Sequence, residues 1–229
     1  AALSHPRDCD SDPMKAFGLN VQGTSRVLEF ALKSGAKKVV FSSSAHVYQV
    51  PPLYFPSDEV HPLRLGTTYT TTKILGEELC RLYFEKYGLS FTALRLFNVY
   101  GPGQSLGYLI PDLIAKAKTG RIDLQGGATT KDWVYVEDVA RAFVLALETA
   151  YVGPINIGTG VETDLATIGR LIAAETGVPF AMGPLGTPTR MCADNARAKR
   201  VLGWTPNMEL REGLHAVLDA AKVKRAVRS

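Results

Sequence analysis

The chain has 229 residues, of which 46% are hydrophobic and 21% charged, and its formal net charge is +4 at pH 7. These values are ordinary for a globular domain, or for a domain with a smaller lobe, and the length is ample for a buried core. Much of the positive charge lies in the tail between Lys222 and Arg228, and no basic stripe interleaved with aromatic residues occurs elsewhere, so we expect no nucleic-acid partner.

The first half of the chain is predicted to contain two long helices and one strand. Apolar residues recur at helical spacing over 13–34. Residues 38–41 form a short apolar strand that runs into a serine-rich turn, and 49–66 carry four prolines, which predicts a loop. A helix then extends from about 68 to 87, where Gly88 is placed to end it.

In the second half, short apolar strands alternate with helices. Strands are predicted over 91–97, 132–136 and 155–158, and helices near 108–118, 137–149, 163–176, 194–202 and 210–221. This alternation is typical of crossover units on a parallel sheet. We therefore predict an α/β fold with a Rossmann-like doubly wound parallel sheet and a small mixed C-terminal lobe.

Cysteine and histidine spacing argues against a metal site. Cys9, Cys80 and Cys192 are far apart, and the four histidines form no cluster, so we expect neither a metal site nor a disulfide framework. No apolar run approaches the roughly 20 residues that cross a bilayer, and the chain opens without a signal-peptide pattern. We expect no membrane association and a cytoplasmic location.

Tyr69 and Lys73 stand four residues apart on a predicted helix, which places them on the same face. A lysine ammonium about 4 Å from the phenol, at an effective dielectric of roughly 20, favours the phenolate by about 4 kcal/mol. That would bring the tyrosine pKa from about 10 to about 7, which suits proton exchange with a substrate hydroxyl. The pair alone is a weak indication, because exposed amphipathic helices often carry one.

Two polar residues directly follow predicted strands. Ser44 comes at the end of the first strand, 25 residues before Tyr69, and Asn98 follows the strand 91–97. In a doubly wound sheet the chemistry gathers at the carboxyl ends of the strands. We therefore expect Ser44 and Asn98 at one edge of the sheet, with the Tyr69 helix beside it.

Taken together, these motifs resemble the extended short-chain dehydrogenase/reductase family, in its sugar-nucleotide epimerase and dehydratase branch. The resemblance covers nearly the whole chain in the family's order. It is carried by Ala1-Ala2, Asn20–Thr24, the serine turn, Tyr69 with Lys73, Arg95–Pro102, Lys131–Ala140, Asn156–Gly160 and Leu202–Pro206. The resemblance implies an NAD cofactor and a nucleotide-sugar substrate.

The resemblance also implies roles for single residues. Tyr69 would be the acid/base, Lys73 would lower its pKa and bind the nicotinamide ribose, and Ser44 would bind the reacting hydroxyl. The remaining cofactor contacts would be Ala2, Asn20, Ser42 and Phe97.

Four further residues are candidate substrate contacts. Asn98 resembles the residue beside the diphosphate, Arg190 resembles a diphosphate clamp, and His46 could face the substrate. Lys131 stands where the family usually has arginine, so it keeps the charge without the bidentate fork. Each has an ordinary alternative: a bend at Asn98, surface charges at Lys131 and Arg190, and a packed or solvated His46. The serine at 42 could likewise satisfy backbone groups of a turn.

The Gly-rich dinucleotide turn of the family has no counterpart here. The segment Gly101–Gly107 imitates it, but the third glycine comes one place late and Pro102 lacks an N–H for a phosphate. We therefore expect a fragment or a natural short form that lacks the N-terminal Gly-rich portion, and weak or absent dinucleotide binding by this chain alone. On this interpretation, residues 1–104 with 131–160 form a partial NAD-binding Rossmann domain, and 105–130 with 161–229 form a substrate-binding lobe.

The expected reaction is NAD-dependent 4-epimerisation of a UDP-hexose through a 4-keto intermediate. Ala45-His46 occupies the place where dehydratases carry an Asp-Glu pair, which disfavours dehydration. The alternatives are another enzyme of the family acting on a small alcohol or ketone, or a non-catalytic remnant. The helices near 13–34 and 68–87 resemble those through which family members pair, so we expect a homodimer.

Overall fold

The computed structural model describes residues 2–126, 129–184 and 187–223. The strands are β1 (Lys38–Ser44), β2 (Ser90–Leu96), β3 (Asn98–Tyr100), β4 (Ile122–Leu124), β5 (Thr130–Tyr135), β6 (Gly153–Ile157), β7 (Glu162–Asp164) and β8 (Phe180–Met182). The helices are α1 (Pro6–Ser11), α2 (Pro13–Ala16), α3 (Gly23–Lys33), α4 (Thr68–Tyr87), α5 (Leu109–Lys118), α6 (Val136–Glu148), α7 (Leu165–Thr176), α8 (Ala196–Leu202) and α9 (Leu210–Ala220).

The main sheet is parallel, in the order β1-β2-β6. Its register aligns Ser44 of β1 with Leu96 of β2, and Leu96 with Ile157 of β6. The carboxyl ends of the three strands therefore lie at one edge, as the sequence predicts. The α/β class and the parallel sheet are confirmed.

Helices cover both faces of this sheet because the side chains of β2 alternate. Phe91 and Ala93 pack with apolar residues of α3 and α4, whereas Leu94 packs with α6 and with Trp204. A strand that is apolar on both faces is typical of a doubly wound sheet. The predicted helix 68–87 and the loop before it are confirmed, since Thr67 caps α4 and Gly88 ends it in the left-handed conformation.

A second apolar core lies in the C-terminal lobe. It joins α5, α7 and α9 through buried residues such as Leu113, Ile172 and Leu214, beside the small strand pairs β4–β8 and β5–β7. Helix α8 falls within the predicted lobe, but its Leu202 packs with the core of the main sheet. The exact division into two domains stays a prediction.

Three local features differ from the sequence prediction. Helix α1 was not predicted, although Pro6 occupies its first turn. The predicted helix 13–34 is interrupted by a π-helical turn, Phe17–Gln22, which carries Asn20 and which often marks a functional position. The serines belong to β1 itself rather than to a turn, and the turn is the short 3-10 helix Ala45–Val47 that follows.

Across the described ranges, no helix combines the length and apolar character required to cross a membrane. Within the same ranges, no group of three or more histidine, cysteine or acidic residues could hold a metal ion. The three cysteines are buried and free.

Candidate active site

Tyr69 lies in the first turn of α4, directly beside the end of β1. The helix is held there by its capping box, in which the Thr67 hydroxyl accepts a hydrogen bond from the Thr70 N–H at 3.2 Å. The Ser44 hydroxyl lies close enough to the Tyr69 phenol to lower its pKa. The same Ser44 oxygen accepts the His46 N–H at 3.2 Å. The structure thus brings Tyr69 and Ser44 together as predicted.

Lys73 lies one turn further along α4. Its Nζ donates to the backbone carbonyl of Ser42 at 2.8 Å and stands 5.7 Å from the centroid of the Tyr69 ring. Both Lys73 and Tyr69 are buried. The ammonium is therefore fixed close to the phenol, with its remaining protons available to a ligand.

The expectation that the Tyr69 pKa falls to about 7 is wrong for this site as it stands. Burial raises the pKa of Tyr69, and the nearby Ser44 hydroxyl opposes that rise. Burial also lowers the pKa of Lys73, because a charged ammonium is penalised in the same apolar surroundings. Tyr69 is therefore a neutral phenol here, and a proton donor until something in the site stabilises its anion.

The four predicted cofactor contacts beyond Tyr69 and Lys73 all line one cavity. They are Ala2, Asn20, Ser42 and Phe97. The Asn20 amide is already occupied: its Oδ1 accepts the Leu3 N–H at 2.8 Å, and its Nδ2 donates to the Leu3 carbonyl at 2.9 Å and to Thr72 at 3.1 Å. Asn20 therefore holds the segment at residues 2–3 against α4, which fixes one wall of the cavity.

Three of the four predicted substrate contacts also line the cavity. His46 packs edge-on against the Tyr69 ring at 6.5 Å between centroids, and Asn98 donates to the Asp132 carbonyl at 3.3 Å. Neither the His46 ring nor Lys131 Nζ has a hydrogen-bond partner in the described part of the chain. Burial and the nearby Lys131 lower the pKa of His46 to about 4, so its imidazole is neutral at pH 7.

Arg190, by contrast, lies outside the residues that line the cavity. Its guanidinium forms two hydrogen bonds to Glu162, at 2.8 and 2.6 Å, and stacks over Phe55 at 3.9 Å. A guanidinium whose fork is filled by a carboxylate has little capacity left for a phosphate. The predicted diphosphate contact through Arg190 is therefore not what the structure shows.

The cavity has a volume of about 1160 Å³, which exceeds the roughly 300–1,000 Å³ of a typical single-ligand site. Among its described lining residues none is acidic, whereas four are basic: Arg7, Arg26, Lys73 and Lys131. A cavity that is large and cationic suits anionic ligands of the size of nucleoside diphosphates. The residues present at the Tyr69 end therefore fit the nicotinamide half of a dinucleotide together with a second, phosphate-bearing molecule.

Several residues near the site were missed by the sequence reasoning. Ser43, Glu77 and Arg95 form a buried polar cluster directly behind the serines and the helix. A signal existed for Glu77, since it lies four residues after Lys73 and eight after Tyr69, on the same helical face. His5 and Tyr108 also line the cavity, with their rings 5.2 Å apart, and nothing in their spacing of 103 residues could predict that.

Comparison with known proteins places these features in context. Residues 1–158 match the family described as the NAD dependent epimerase/dehydratase family. The chain is 36% identical over 231 residues to a UDP-glucose 4-epimerase of Mycolicibacterium smegmatis, covering 96% of this chain and 73% of that protein. It is 32% identical over 229 residues to UDP-glucuronic acid decarboxylase 6 of Arabidopsis thaliana, covering 94% and 66%.

A solved structure agrees with the sequence comparisons. The UDP-glucose 4-epimerase of Thermotoga maritima, determined with UDP-glucose, is similar with a TM-score of 0.90 and 29% identity. The similarity covers 97% of this chain and 75% of that chain.

Proposed function

Because the chain belongs to the NAD dependent epimerase/dehydratase family, we propose that it interconverts the 4-epimers of a nucleotide-linked hexose, in the manner of a UDP-hexose 4-epimerase. The family and its NAD cofactor are those that the sequence motifs predict. The reaction and the sugar are the finer part of the proposal. The observation that carries it is the grouping of Tyr69, Ser44 and Lys73, with Lys73 Nζ 5.7 Å from the Tyr69 ring, at the buried end of a cavity whose described lining contains no carboxylate.

Tyr69 and Ser44 are placed to handle the proton of the reacting hydroxyl. A C4 hydroxyl inserted between the Ser44 oxygen and the Tyr69 oxygen can hydrogen-bond to both. With Tyr69 in its phenolate form, the hydroxyl proton passes to the Tyr69 oxygen, and the resulting phenol gives it back in the return step. Lys73 is the nearby cation that stabilises the phenolate when it forms. NAD, which Lys73, Ser42 and Phe97 would help to hold in this cavity, would supply reversible hydride transfer at C4.

Lys131 is the cation that we assign to the substrate diphosphate. It lines the cavity without an anionic partner among the described residues, and burial lowers its pKa. An unpaired cation in such a position is costly, and a phosphate would offset that cost. Asn98, held by the Asp132 carbonyl, would lie beside the same group.

The direct test is to restore the chain with a Gly-rich N-terminal portion, to incubate this preparation with NAD and UDP-galactose, and to follow UDP-glucose by chromatography. We expect interconversion without net change in NADH absorbance, since an epimerase recycles its cofactor. Tyr69→Phe should lower kcat by about 10²- to 10⁴-fold, whereas the matched control Tyr54→Phe, which alters an exposed tyrosine bonded to Asp58, should not. Full activity in Tyr69→Phe would refute the assigned base.

The same assay separates the competing functions. Stoichiometric NADH formation with a small alcohol would indicate another oxidoreductase of the family. Carbon dioxide release from UDP-glucuronic acid would indicate a decarboxylase, the activity that the Arabidopsis relative is named for. A restored preparation that binds NAD and the nucleotide sugar but turns over neither would indicate a non-catalytic remnant.

Self-association and location are proposed on separate grounds. Helices α3 and α4 pack together and expose Val27 at 57%, Phe30 at 72%, Phe84 at 40% and Tyr87 at 54%. A cluster of exposed apolar side chains on adjoining helices favours a protein interface, and we propose that two copies pair there. The three buried free cysteines support the predicted cytoplasmic location, because they need no oxidising compartment.

A further inference from the structure

Three consecutive serines of β1 meet three residues of α4 that are spaced by four. Tyr69 lies beside the Ser44 hydroxyl, Lys73 donates to the Ser42 carbonyl, and Glu77 accepts from the Ser43 hydroxyl. Residues i, i+4 and i+8 follow one face of a helix, so the strand and the helix are joined at three successive levels. The first two levels are the proposed chemistry, and the third has no assigned role.

Glu77 is held rigidly for its part in this contact. Arg95 of β2 donates two hydrogen bonds to the two Glu77 oxygens, at 3.0 and 2.7 Å, and the two side chains are only 5% and 9% exposed. Arg95 is fixed in turn by hydrogen bonds to the Tyr48 hydroxyl at 3.2 Å and to the Glu59 carbonyl at 3.0 Å. A buried bidentate ion pair favours a single geometry. The Glu77 oxygen that accepts the Ser43 hydrogen bond is therefore fixed in position.

At the third level Ser43 lines the cavity, whereas its partner Glu77 is outside the lining residues. Ser43 is 2% exposed, and successive side chains of a strand point to opposite faces. Fixing Ser43 therefore fixes the backbone on either side of it, which includes the Ser42 carbonyl and the Ser44 side chain. Without the Ser43–Glu77 bond, nothing polar would tie this face of β1 to α4 below the level of Lys73.

We propose that Ser43 and Glu77, held by Arg95, are positioning residues that set the register of β1 against α4 and thereby aim Ser44 at Tyr69. This inference rests on the proposed function, because its consequence is measured on the proton transfer that Tyr69 performs. Displacing a reacting group by about 1 Å costs on the order of 100-fold in rate. Loss of the Ser43 hydroxyl should lower kcat by about 10- to 100-fold and leave KM within about twofold.

The test compares Ser43→Ala with Thr92→Val. Thr92 is also fully buried in this sheet, but its hydroxyl donates to the Tyr151 carbonyl at 3.1 Å, away from the cavity. Both variants lose one buried hydrogen bond, so urea unfolding should show similar losses of stability. Only Ser43→Ala should lower kcat and move the onset of activity to higher pH, since a weaker interaction with Ser44 raises the pKa of Tyr69.

A second readout needs no turnover. In protein labelled with [13Cζ]tyrosine, the Tyr69 resonance is identified by its absence from Tyr69→Phe. We expect Ser43→Ala to shift this resonance at pH 7 and Thr92→Val to leave it in place. If the proposed function is wrong, the wild-type protein will be inactive. The Tyr69 resonance will still show whether Ser43 sets the register of β1 against α4.

Either of two results would overturn the proposal. One is a Ser43→Ala protein whose kcat, pH profile and Tyr69 resonance match those of Thr92→Val, which would make the hydroxyl merely structural. The other is a folded Glu77→Leu protein with wild-type kcat, since that change removes the oxygens that accept from Ser43 and Arg95.

Discussion

Gly76→Ala is expected to damage catalysis far more than stability. Gly76 lies on the α4 face that packs on β1, and a Cβ there would stand 2.3, 2.9 and 3.0 Å from atoms of the Phe41 ring. Carbon atoms in contact prefer about 3.5–4.0 Å, so either the Phe41 ring turns aside or a separation of about 1 Å opens between the helix and the strand. That strain lowers the free energy of unfolding by about 1–3 kcal/mol, and the better helix propensity of alanine raises it by about 1 kcal/mol.

The net destabilisation should therefore be only about 0–2 kcal/mol, which urea unfolding measures. The separation acts directly on the Tyr69–Ser44 pair, because Phe41 and Ser44 share β1 while Gly76 and Tyr69 share α4. We expect kcat for UDP-galactose epimerisation to fall by about 100-fold. Replacing the clashing Phe41 ring by a smaller side chain, in the double variant Gly76→Ala/Phe41→Leu, should restore part of the lost kcat.

Gly169→Ala provides the matched control. A Cβ at this α7 position would stand 2.5 Å from the Phe180 ring, so the same substitution meets the same kind of obstacle in the C-terminal lobe. We expect a similar loss of stability and a much smaller loss of kcat. A Gly76→Ala protein that is stabilised by about 1 kcal/mol and fully active would refute the idea that this close approach sets the site.

Three further outcomes follow from the charges and exposed surfaces of the site. Lys131→Met should raise KM for the nucleotide sugar by about 10- to 100-fold through the lost charge-assisted bond, and should raise the pKa of His46 in a histidine NMR titration, because the repelling cation is gone. The free energy of unfolding should fall by about 2 kcal/mol as the pH drops from about 6.5 to about 4, because unfolded chains protonate His46 first; His46→Gln should flatten that part of the profile, and an unchanged slope would contradict the buried neutral imidazole. Phe30→Glu should convert a dimer to a monomer in sedimentation equilibrium, whereas Val144→Glu on α6, at a similarly exposed position, should not; a monomeric wild-type chain would rule out the proposed pairing.

Much of the fold could be predicted from the sequence because its signals are local. The apolar spacing over 68–87 and the glycine after it specify α4, and short apolar runs between helices specify a parallel sheet. The strands β3, β4, β7 and β8 have only three residues each, too few to show an alternation. The π-helical turn at Asn20 could not be predicted from local spacing, and neither could the hydrogen bonds of Asn20 to Leu3, which lies 17 residues away.

The sequence by itself determined that Tyr69 and Lys73 share one face of α4, because a spacing of four on a helix places a phenol and an ammonium one above the other. It could not determine the pKa of that phenol, since burial is a property of packing and here it acts against ionisation. The sequence also failed to predict the partners of Arg190 and Glu77. It assigned Arg190 to a ligand site and gave Glu77 no role. The tertiary structure pairs Arg190 with the carboxylate of Glu162, away from the cavity. It also brings Arg95 and Ser43 to Glu77. The partner of a charged side chain depends on which residues lie near it in space, and that depends on the tertiary fold.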